Sequence, residues 1–322
     1  MTDFKGHPTE DTADCLTTEA DGIASQDEPI AQEAFFASLD LPKTILKTLD
    51  SLGFAHPTPI QQKAIPPLLS GRDVVGIAQT GTGKTAAFGL PILATCKAKK
   101  PLVQALILAP TRELAAQSAS AITDFAKGMN LGVVAVYGGA SYTPQIAALR
   151  EGAQIVVGTP GRVMDLMERG ELDLSALRFF VLDEADEMLR MGFAEDVDTI
   201  AASANREAVR ALFSATMPPA IKRIAQRHLT DPVEIAIAPQ SSTVDTVDQT
   251  YAVVPFKFKS EALGRVLALS DSDATIVFVR TRIDAEQVGA ELLKAGFLAA
   301  AISGDVPQKE RETLLSVYDG AI

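Results

Sequence analysis

The chain has 322 residues, 47% of them hydrophobic, and a formal net charge of −12. A chain of this length and composition can bury a large core and form more than one domain. No apolar run reaches membrane-spanning length, and the first residues lack the basic and apolar regions of a signal peptide, so a soluble cytoplasmic protein is expected. Cys15 and Cys96 are far apart, and the three histidines form no cluster, which argues against a disulfide framework or a metal site.

Residues 1–34 carry much of the negative charge. They hold nine acidic residues and Lys5, a net of −8 that leaves −4 for the rest of the chain. Because the segment is polar and aperiodic, we predict a disordered acidic tail. Its expected role is solubility, with competition for a binding crevice as the alternative.

An apolar run at residues 73–77 leads into Ala-Gln-Thr-Gly-Thr-Gly-Lys-Thr at residues 78–85 and then into helix-compatible sequence. This order predicts a strand, a phosphate-binding loop and a helix N-terminus. Lys84 would reach the β- and γ-phosphates of a nucleotide, and the Thr85 hydroxyl would bind Mg²⁺. Ala78 stands where the general pattern has glycine. A simple glycine-rich turn is the alternative, which the Lys-Thr pair disfavours.

Short β-rich runs alternate with helical stretches from residue 35 onward, which predicts a parallel sheet covered by helices on both faces. Three of the runs, at residues 103–108, 154–157 and 209–213, lead into threonine or serine followed by helix-compatible sequence. Such helix starts can present unpaired backbone N–H groups to a phosphate.

Two of these helix starts also carry positive charge. Thr159 fits a helix N-cap and Pro160 the first helical turn, while Arg112 and Arg162 lie beside two helix starts. A sugar-phosphate backbone could bind there without base-specific contacts. An ordinary helix cap beside a solvated arginine is the alternative at each single site.

The apolar run at residues 177–182 ends at Asp183-Glu184-Ala185-Asp186. The carboxyl ends of parallel strands face the ligand crevice, so these acids would meet the bound nucleotide. Asp183 is then the candidate Mg²⁺ ligand, and Glu184 the group that orients or deprotonates an attacking water. A solvated turn is the alternative, disfavoured by the phosphate loop about a hundred residues upstream.

The acidic tetrad and the phosphate loop together resemble the DEAD-box ATP-dependent RNA helicases, in which alanine is usual at the first loop position. The resemblance runs from about residue 35 to the end of the chain, with further motifs in family order. These are the Q motif at 53–61, motif Ia at 110–115, the paired glycines at 138–139, motif Ib at 159–162, motif III at 214–216, motif IV at 276–281 and Gln-x-x-Arg at 308–311.

The resemblance implies ATP and Mg²⁺ as cofactors, with Thr85 and Asp183 holding the metal. Gln61 would read the adenine edge, and Phe36 would stack near the base. The implied catalytic residues are Lys84, Asp183 and Glu184. The loop residues implied to bind nucleotide are Ala78, Gln79, Thr80, Gly81, Thr82, Gly83, Lys84 and Thr85.

RNA is the implied partner, held by largely sequence-independent backbone contacts, and no protein partner is indicated. Asp186, Ser214 and Thr216 would couple nucleotide state to domain closure. The residues implied to contact RNA are Thr111, Arg112, Gly139, Thr159, Pro160, Arg162, Thr281 and Arg311. The acidic net charge departs from the basic character usual in nucleic-acid binders, which favours local contacts and low nonspecific affinity.

The resemblance also implies a domain order. Residues 35–239 would form a RecA-like ATP-binding domain, residues 240–248 a linker, and residues 249–322 a partial second RecA-like domain. The β-rich runs of the second domain lie at 249–254, 275–279 and 296–302, and Ser303 stands where relatives often have histidine.

No segment matches family motifs V and VI, the second of which supplies the arginines that reach the γ-phosphate in relatives. Reduced turnover is therefore expected of this chain. Two alternatives to an RNA helicase stay open. One is a non-catalytic ATP- and RNA-binding fragment, and the other is a DNA-directed translocase of the same superfamily, which the Q motif disfavours.

Overall fold

The computed structural model describes residues 35–237 and 248–319, apart from the side chains of residues 312 and 315–319. The predicted acidic tail and nearly all of the predicted linker lie outside the described residues. The division of the chain into two RecA-like domains therefore stays a prediction.

Seven parallel strands form one sheet in the order β3-β4-β2-β5-β6-β1-β7. Each strand is short and rich in Val, Ile, Leu or Phe, as strands covered on both faces usually are. The strands are β1 (Val74–Ile77), β2 (Ala105–Leu108), β3 (Val133–Val136), β4 (Ile155–Gly158), β5 (Phe179–Leu182), β6 (Val209–Ser214) and β7 (Val233–Ala236).

Helices connect successive strands and lie on both sides of the sheet. Within the described residues 35–237 there are nine α-helices, namely α1 (Lys43–Ser51), α2 (Pro59–Leu69), α3 (Lys84–Thr95), α4 (Arg112–Phe125), α5 (Tyr142–Arg150), α6 (Pro160–Glu168), α7 (Ala185–Arg190), α8 (Ala194–Ser203) and α9 (Pro219–His228). Three more follow, α10 (Lys259–Ala268), α11 (Arg282–Lys294) and α12 (Gln308–Asp319), with short 3₁₀ turns at Phe36–Leu39 and Phe256–Phe258.

The side chains of β2 show how the two faces of the sheet divide the core. Ala105 and Ile107 belong to one hydrophobic cluster, which includes residues of α1 to α4. Leu106 and Leu108 belong to the other, which includes residues of α5 to α9. Successive side chains of a strand point to opposite faces, so the sheet is covered on both. The predicted α/β fold with a parallel sheet between helical layers is confirmed.

Gly76 in β1 allows close packing beside the site. It pairs in register with Phe213 of β6, and a Cβ atom at Gly76 would lie 2.6 Å from a ring carbon of Phe213. The ring of Phe213 therefore fills the space that any side chain at position 76 would need.

Strand order places three loops side by side. β6 lies between β1 and β5 in the sheet, so the loops that follow β1, β5 and β6 meet at the same carboxyl edge. Ligands of open α/β sheets bind at this edge.

The second part of the chain differs from the sequence prediction. Among residues 248–319 the structure contains three α-helices but no strand, and the runs 249–254, 275–279 and 297–302 are irregular. The side chains of Tyr251, Phe278 and Leu298 are more than 90% exposed. Parallel strands need hydrogen-bonded neighbours, which these runs lack within the described residues. In the same described residues, no helix is long and apolar enough to cross a membrane.

Candidate functional site

The phosphate loop follows β1 directly and ends at α3. Gly81 and Gly83 both have positive φ angles, 85° and 90°, which allow the loop to turn tightly before the helix begins at Lys84. The Thr82 hydroxyl donates to the Gln79 carbonyl at 2.7 Å and so braces the turn. Thr85 is the second residue of α3.

Lys84 is buried, and its ammonium is held by two oxygens. Its Nζ lies 2.8 Å from Glu184 Oε1 and donates to the Ala78 carbonyl at 3.2 Å. The Thr80 hydroxyl donates to the same Glu184 oxygen at 2.8 Å. Glu184 precedes α7 with a left-handed backbone, φ 50° and ψ 50°. The loop after β1 and the loop after β5 are thus joined through one carboxylate.

Asp183, at the end of β5, is buried beside this pair. Burial raises the pKa of Asp183 to about 7, the Lys84 ammonium opposes that rise, and the neighbouring Glu184 carboxylate adds to it. The Glu184 N–H donates to Asp183 Oδ1 at 3.1 Å. A carboxyl group this destabilised in its charged form would gain from a nearby cation.

Asp186, Ser214 and Thr216 form one hydrogen-bonded group. The Thr216 hydroxyl donates to Asp186 Oδ2 at 2.7 Å, and the Asp186 N–H donates to Ser214 Oγ at 3.3 Å. Burial raises the pKa of Asp186, but the hydrogen bonds from Thr216 and Ser214 outweigh it and the net shift is downward. The Ser214 carbonyl accepts from the Ala78 N–H at 3.0 Å, which joins this group to the start of the phosphate loop.

Gln61 is buried in the first turn of α2 and bonds to the protein at both ends of its amide. Its Oε1 accepts from the Thr58 N–H at 2.9 Å, and its Nε2 donates to the Gly83 carbonyl at 3.1 Å. The Thr58 hydroxyl donates to the Thr82 carbonyl at 2.8 Å. Two side chains at the start of α2 therefore hold the phosphate loop.

The aromatic residues upstream of α2 differ in exposure. Phe36 is only 4% exposed and packs in the core, whereas Phe35 is 56% exposed. The Phe35 ring centroid lies 4.9 Å from that of His56. The predicted stacking of Phe36 on a base stays a prediction, and its ring offers little free face in this structure.

The three threonines implied to contact RNA lie at helix starts, but their hydroxyls differ in use. Thr111 accepts from the Leu114 N–H at 3.2 Å at the start of α4, and Thr281 accepts from the Asp284 N–H at 3.1 Å at the start of α11. The Thr159 side chain makes no capping bond at α6, which continues with Pro160 at its first position. The first turn of α6 is therefore the one of these three left without a side-chain cap.

Arg112 and Gly139 lie together. A Cβ atom at Gly139 would sit 2.2 Å from Arg112 Nη1, so the guanidinium packs directly against this glycine. Arg112 Nη1 also donates to Gln308 Oε1 at 3.4 Å. Nearby, Arg311 Nη1 lies 3.2 Å from Glu113 Oε1. The starts of α4 and α12 therefore contact each other through charged and amide side chains.

Arg162 does not occupy the exposed position beside a helix start that the sequence suggested. It is 6% exposed, its Nη1 donates to Gln145 Oε1 at 3.0 Å, and its Nη2 donates to the Ala140 carbonyl at 3.1 Å. Its guanidinium carbon also lies 3.8 Å from the centre of the Tyr142 ring. The alternative of a solvated arginine is therefore wrong for Arg162, because Ala140 and the residues of α5 enclose its side chain, and its predicted contact with RNA stays a prediction.

Sequence reasoning missed three residues that shape the site. Thr58 could have been found, because Thr followed three residues later by Gln is a capping-box pattern. Gln145 and Tyr142 gave no signal, since neither belongs to a periodic run or a charged motif. Their contacts depend on how α5 and α6 meet.

The sequence profile of the DEAD/DEAH box helicases matches residues 58–224, which contain the phosphate loop, the acidic tetrad and motif III. The chain belongs to the DEAD/DEAH box helicase family. It is 48% identical over 296 residues to the ATP-dependent RNA helicase DeaD of Mycobacterium tuberculosis H37Rv, covering 91% of this chain and 52% of that protein. It is 51% identical over 292 residues to the ATP-dependent RNA helicase DeaD of Escherichia coli K12, covering 90% and 46%.

This DEAD/DEAH box chain also resembles a solved structure of a DEAD box protein from the hyperthermophile Methanococcus jannaschii. The TM-score is 0.61 at 38% sequence identity, and the match covers 89% of this chain and 77% of that one. The chain spans about half the length of the curated relatives it matches.

Proposed function

We propose that this chain is the ATP-binding and RNA-contacting part of an ATP-dependent RNA helicase, which couples ATP hydrolysis to local duplex unwinding. The observation that carries the proposal is the meeting of Lys84, Asp183 and Glu184 at the carboxyl edge of the sheet, with Glu184 Oε1 2.8 Å from Lys84 Nζ. The names of the bacterial relatives support ATP and RNA as its ligands. The bacterial cytoplasm, where both are abundant, is the proposed compartment.

ATP binding would exchange the partner of Lys84. Its ammonium pairs with Glu184 in this structure, and phosphate oxygens entering the loop would compete for it. Releasing Glu184 from Lys84 would free that carboxylate to orient or deprotonate the attacking water. The Asp186, Ser214 and Thr216 group, bonded to Ala78 through the Ser214 carbonyl, would transmit the change of the loop to the neighbouring strand end.

Mg²⁺ fits the oxygen donors at this edge. Magnesium is commonly bound by one or two carboxylates together with substrate phosphates and water, and Asp183 and Thr85 would supply the protein's share. The ion would neutralise charge on the phosphates. Burial already disfavours the ionised form of Asp183, so a cation beside it is electrostatically favoured.

RNA would bind through its backbone. At the uncapped start of α6, the Thr159 hydroxyl and the Gly161 N–H would donate to RNA phosphates beside Pro160, which has no N–H of its own. Arg112 supplies charge beside Gly139. The Thr111 and Thr281 hydroxyl oxygens each accept a capping bond, which leaves their hydroxyl hydrogens to donate to a phosphate oxygen. Arg311 would contact RNA after leaving Glu113.

Calorimetric titration of ATP and GTP, each with Mg²⁺, tests the nucleotide proposal. We expect the chain to bind ATP more tightly than GTP, Lys84→Ala to abolish binding, and Gln61→Ala to weaken the preference for adenine. Lys63→Ala, on the same helix as Gln61, is the matched control. Equal affinity of the unaltered chain for both nucleotides would overturn the assignment of Gln61.

The RNA proposal is tested by ATP hydrolysis measured with added single-stranded RNA or with DNA of the same sequence. RNA should stimulate hydrolysis and DNA should not. Equal stimulation by both would favour a DNA-directed translocase instead.

A further inference from the structure

We infer that Arg162, Gln145 and Tyr142 are positioning residues for RNA binding, and that Arg162 acts from inside the protein without touching RNA. Together they hold residues 137–142 so that Gly139 and the uncapped start of α6 face the same side. The inference rests on the proposed function, because it concerns how the proposed RNA surface is shaped.

Gln145 joins three elements with one buried side chain. It lies on α5, its Nε2 donates to the Tyr137 carbonyl at 3.2 Å just after β3, and its Oε1 accepts from Arg162 on α6. Both polar ends of the amide are therefore spent inside the protein. Replacing it would release the end of β3 and the start of α6 at once.

Both terminal nitrogens of the Arg162 guanidinium donate to residues between the end of β3 and the middle of α5. Beyond Gln145, it donates to the Ala140 carbonyl next to Gly139, and its guanidinium packs on the Tyr142 ring. Arg169 also packs on that ring, at 4.3 Å. Arg162 is 6% exposed, so little of its guanidinium is open to a phosphate.

The charge of Arg162 is also balanced within the protein. Its Nε lies 4.0 Å from Asp165 Oδ2. Hydrogen bonds from Tyr142 and then Arg169 lower the pKa of Asp165, so this carboxylate stays ionised at neutral pH. A buried cation with its own counter-charge adds little attraction for a distant phosphate. RNA binding should therefore depend on the shape that Arg162 maintains and not on its charge.

Salt dependence separates the two roles. A residue that contacts a phosphate displaces a counterion, so its removal lowers the slope of log affinity against log salt by about 0.7 to 1. We would measure binding of the 322-residue chain to a mixed-sequence single-stranded RNA, with a non-hydrolysable ATP analogue and Mg²⁺. Arg112→Met is the contact control and should show this reduced slope.

Arg162→Met and Gln145→Leu should each weaken RNA binding by about tenfold at every salt concentration, with an unchanged slope. The double variant should be no weaker than either single variant, since both act on one element. Tyr142→Phe keeps the ring and should retain binding, whereas Tyr142→Leu should lose it. A reduced slope for Arg162→Met beside an unchanged slope for Gln145→Leu would overturn the inference.

Hydrogen exchange of the free protein tests positioning without RNA. Backbone amides of residues 137–142 should exchange at least about tenfold faster in Arg162→Met, Gln145→Leu and Tyr142→Leu, but not in Tyr142→Phe. Unchanged exchange would contradict the inference. If the unaltered chain binds no RNA, the proposed function fails and the inference about RNA binding fails with it, while faster exchange would show only that these side chains hold residues 137–142 in place. Should Gln145→Leu not fold, the Tyr142 pair decides.

Discussion

β2 and the run at residues 275–279 have similarly apolar sequences, yet they lie in opposite environments. All four side chains of β2 are fully buried, whereas the Phe278 side chain is 92% exposed. β2 is hydrogen-bonded to β4 and β5 and covered by helices on both faces. The run at 275–279 has no strand partner within the described residues. Burial of a parallel strand is therefore set by its neighbours as much as by its own residues.

The helices of residues 248–319 form although the apolar runs between them have no strand partners. α11 satisfies its backbone groups internally, and Thr281 caps its first turn. A helix closes its hydrogen bonds over four residues, while a parallel strand depends on residues far away in the chain. Local structure survives where long-range pairing is missing.

The largest change in activity should come from adding strand partners for the apolar runs of residues 248–319. Joining a relative's segment with motifs V and VI after residue 322 would supply strand partners and the arginines aimed at the γ-phosphate. We expect RNA-stimulated ATP hydrolysis, measured as phosphate release, to rise by about 10³- to 10⁵-fold. Glu184→Gln should remove the gain. If the 322-residue chain already turns over as fast as the extended one, those arginines have been given the wrong role.

A matched pair of phenylalanines measures the difference between the two parts directly. Phe213→Ala empties a fully buried site and should lower the free energy of unfolding by about 3 to 5 kcal/mol. Phe278→Ala removes a ring that is already in water and should change it by less than about 0.5 kcal/mol. Denaturant unfolding followed by circular dichroism gives both values. Equal losses would show that residues 275–279 are buried in solution.

Two glycine-to-alanine substitutions, one in each part of the molecule, should change stability by smaller amounts. Gly76→Ala brings a methyl group to 2.6 Å from the Phe213 ring and should destabilise the fold by about 1 to 3 kcal/mol. Gly264→Ala, inside α10, meets only Phe297 at 3.9 Å and should stabilise that helix by up to about 1 kcal/mol. Thermal unfolding monitors both. A neutral Gly76→Ala would mean that the Phe213 ring can move aside.

The nucleotide edge was largely readable from the sequence. Lys84, Asp183 and Ser214 each follow an apolar run, and the carboxyl ends of parallel strands share one edge. Their meeting needed no information beyond strand type and order. The place of Gln61 in a capping box could be predicted, because it is a local sequence pattern. Its hydrogen bond to the Gly83 carbonyl could not, because that bond depends on where α2 lies against the loop.

The contacts of the proposed RNA surface were harder to predict from the sequence, for a physical reason. Whether an arginine is solvated or buried depends on which segments of the chain pack over it. The sequence around Arg162 does not indicate its contacts with the Ala140 carbonyl and the Gln145 amide. In the same way, Thr111 and Thr159 look alike in sequence, yet only Thr111 caps its helix. The prediction of strands within residues 249–302 was wrong because strand pairing depends on residues far away in the chain.

The left-handed backbone of Glu184 stores strain at the start of α7. A residue with a Cβ atom loses about 1 to 2 kcal/mol in this conformation relative to the right-handed one, and glycine would not. The left-handed turn is nevertheless the one in which the Glu184 carboxylate lies between Lys84 and Thr80. Glycine at position 184 would relieve the strain, but it would leave the buried Lys84 ammonium without its carboxylate partner, which costs about 3 to 5 kcal/mol. The strained backbone is therefore retained because it keeps a carboxylate at the phosphate loop.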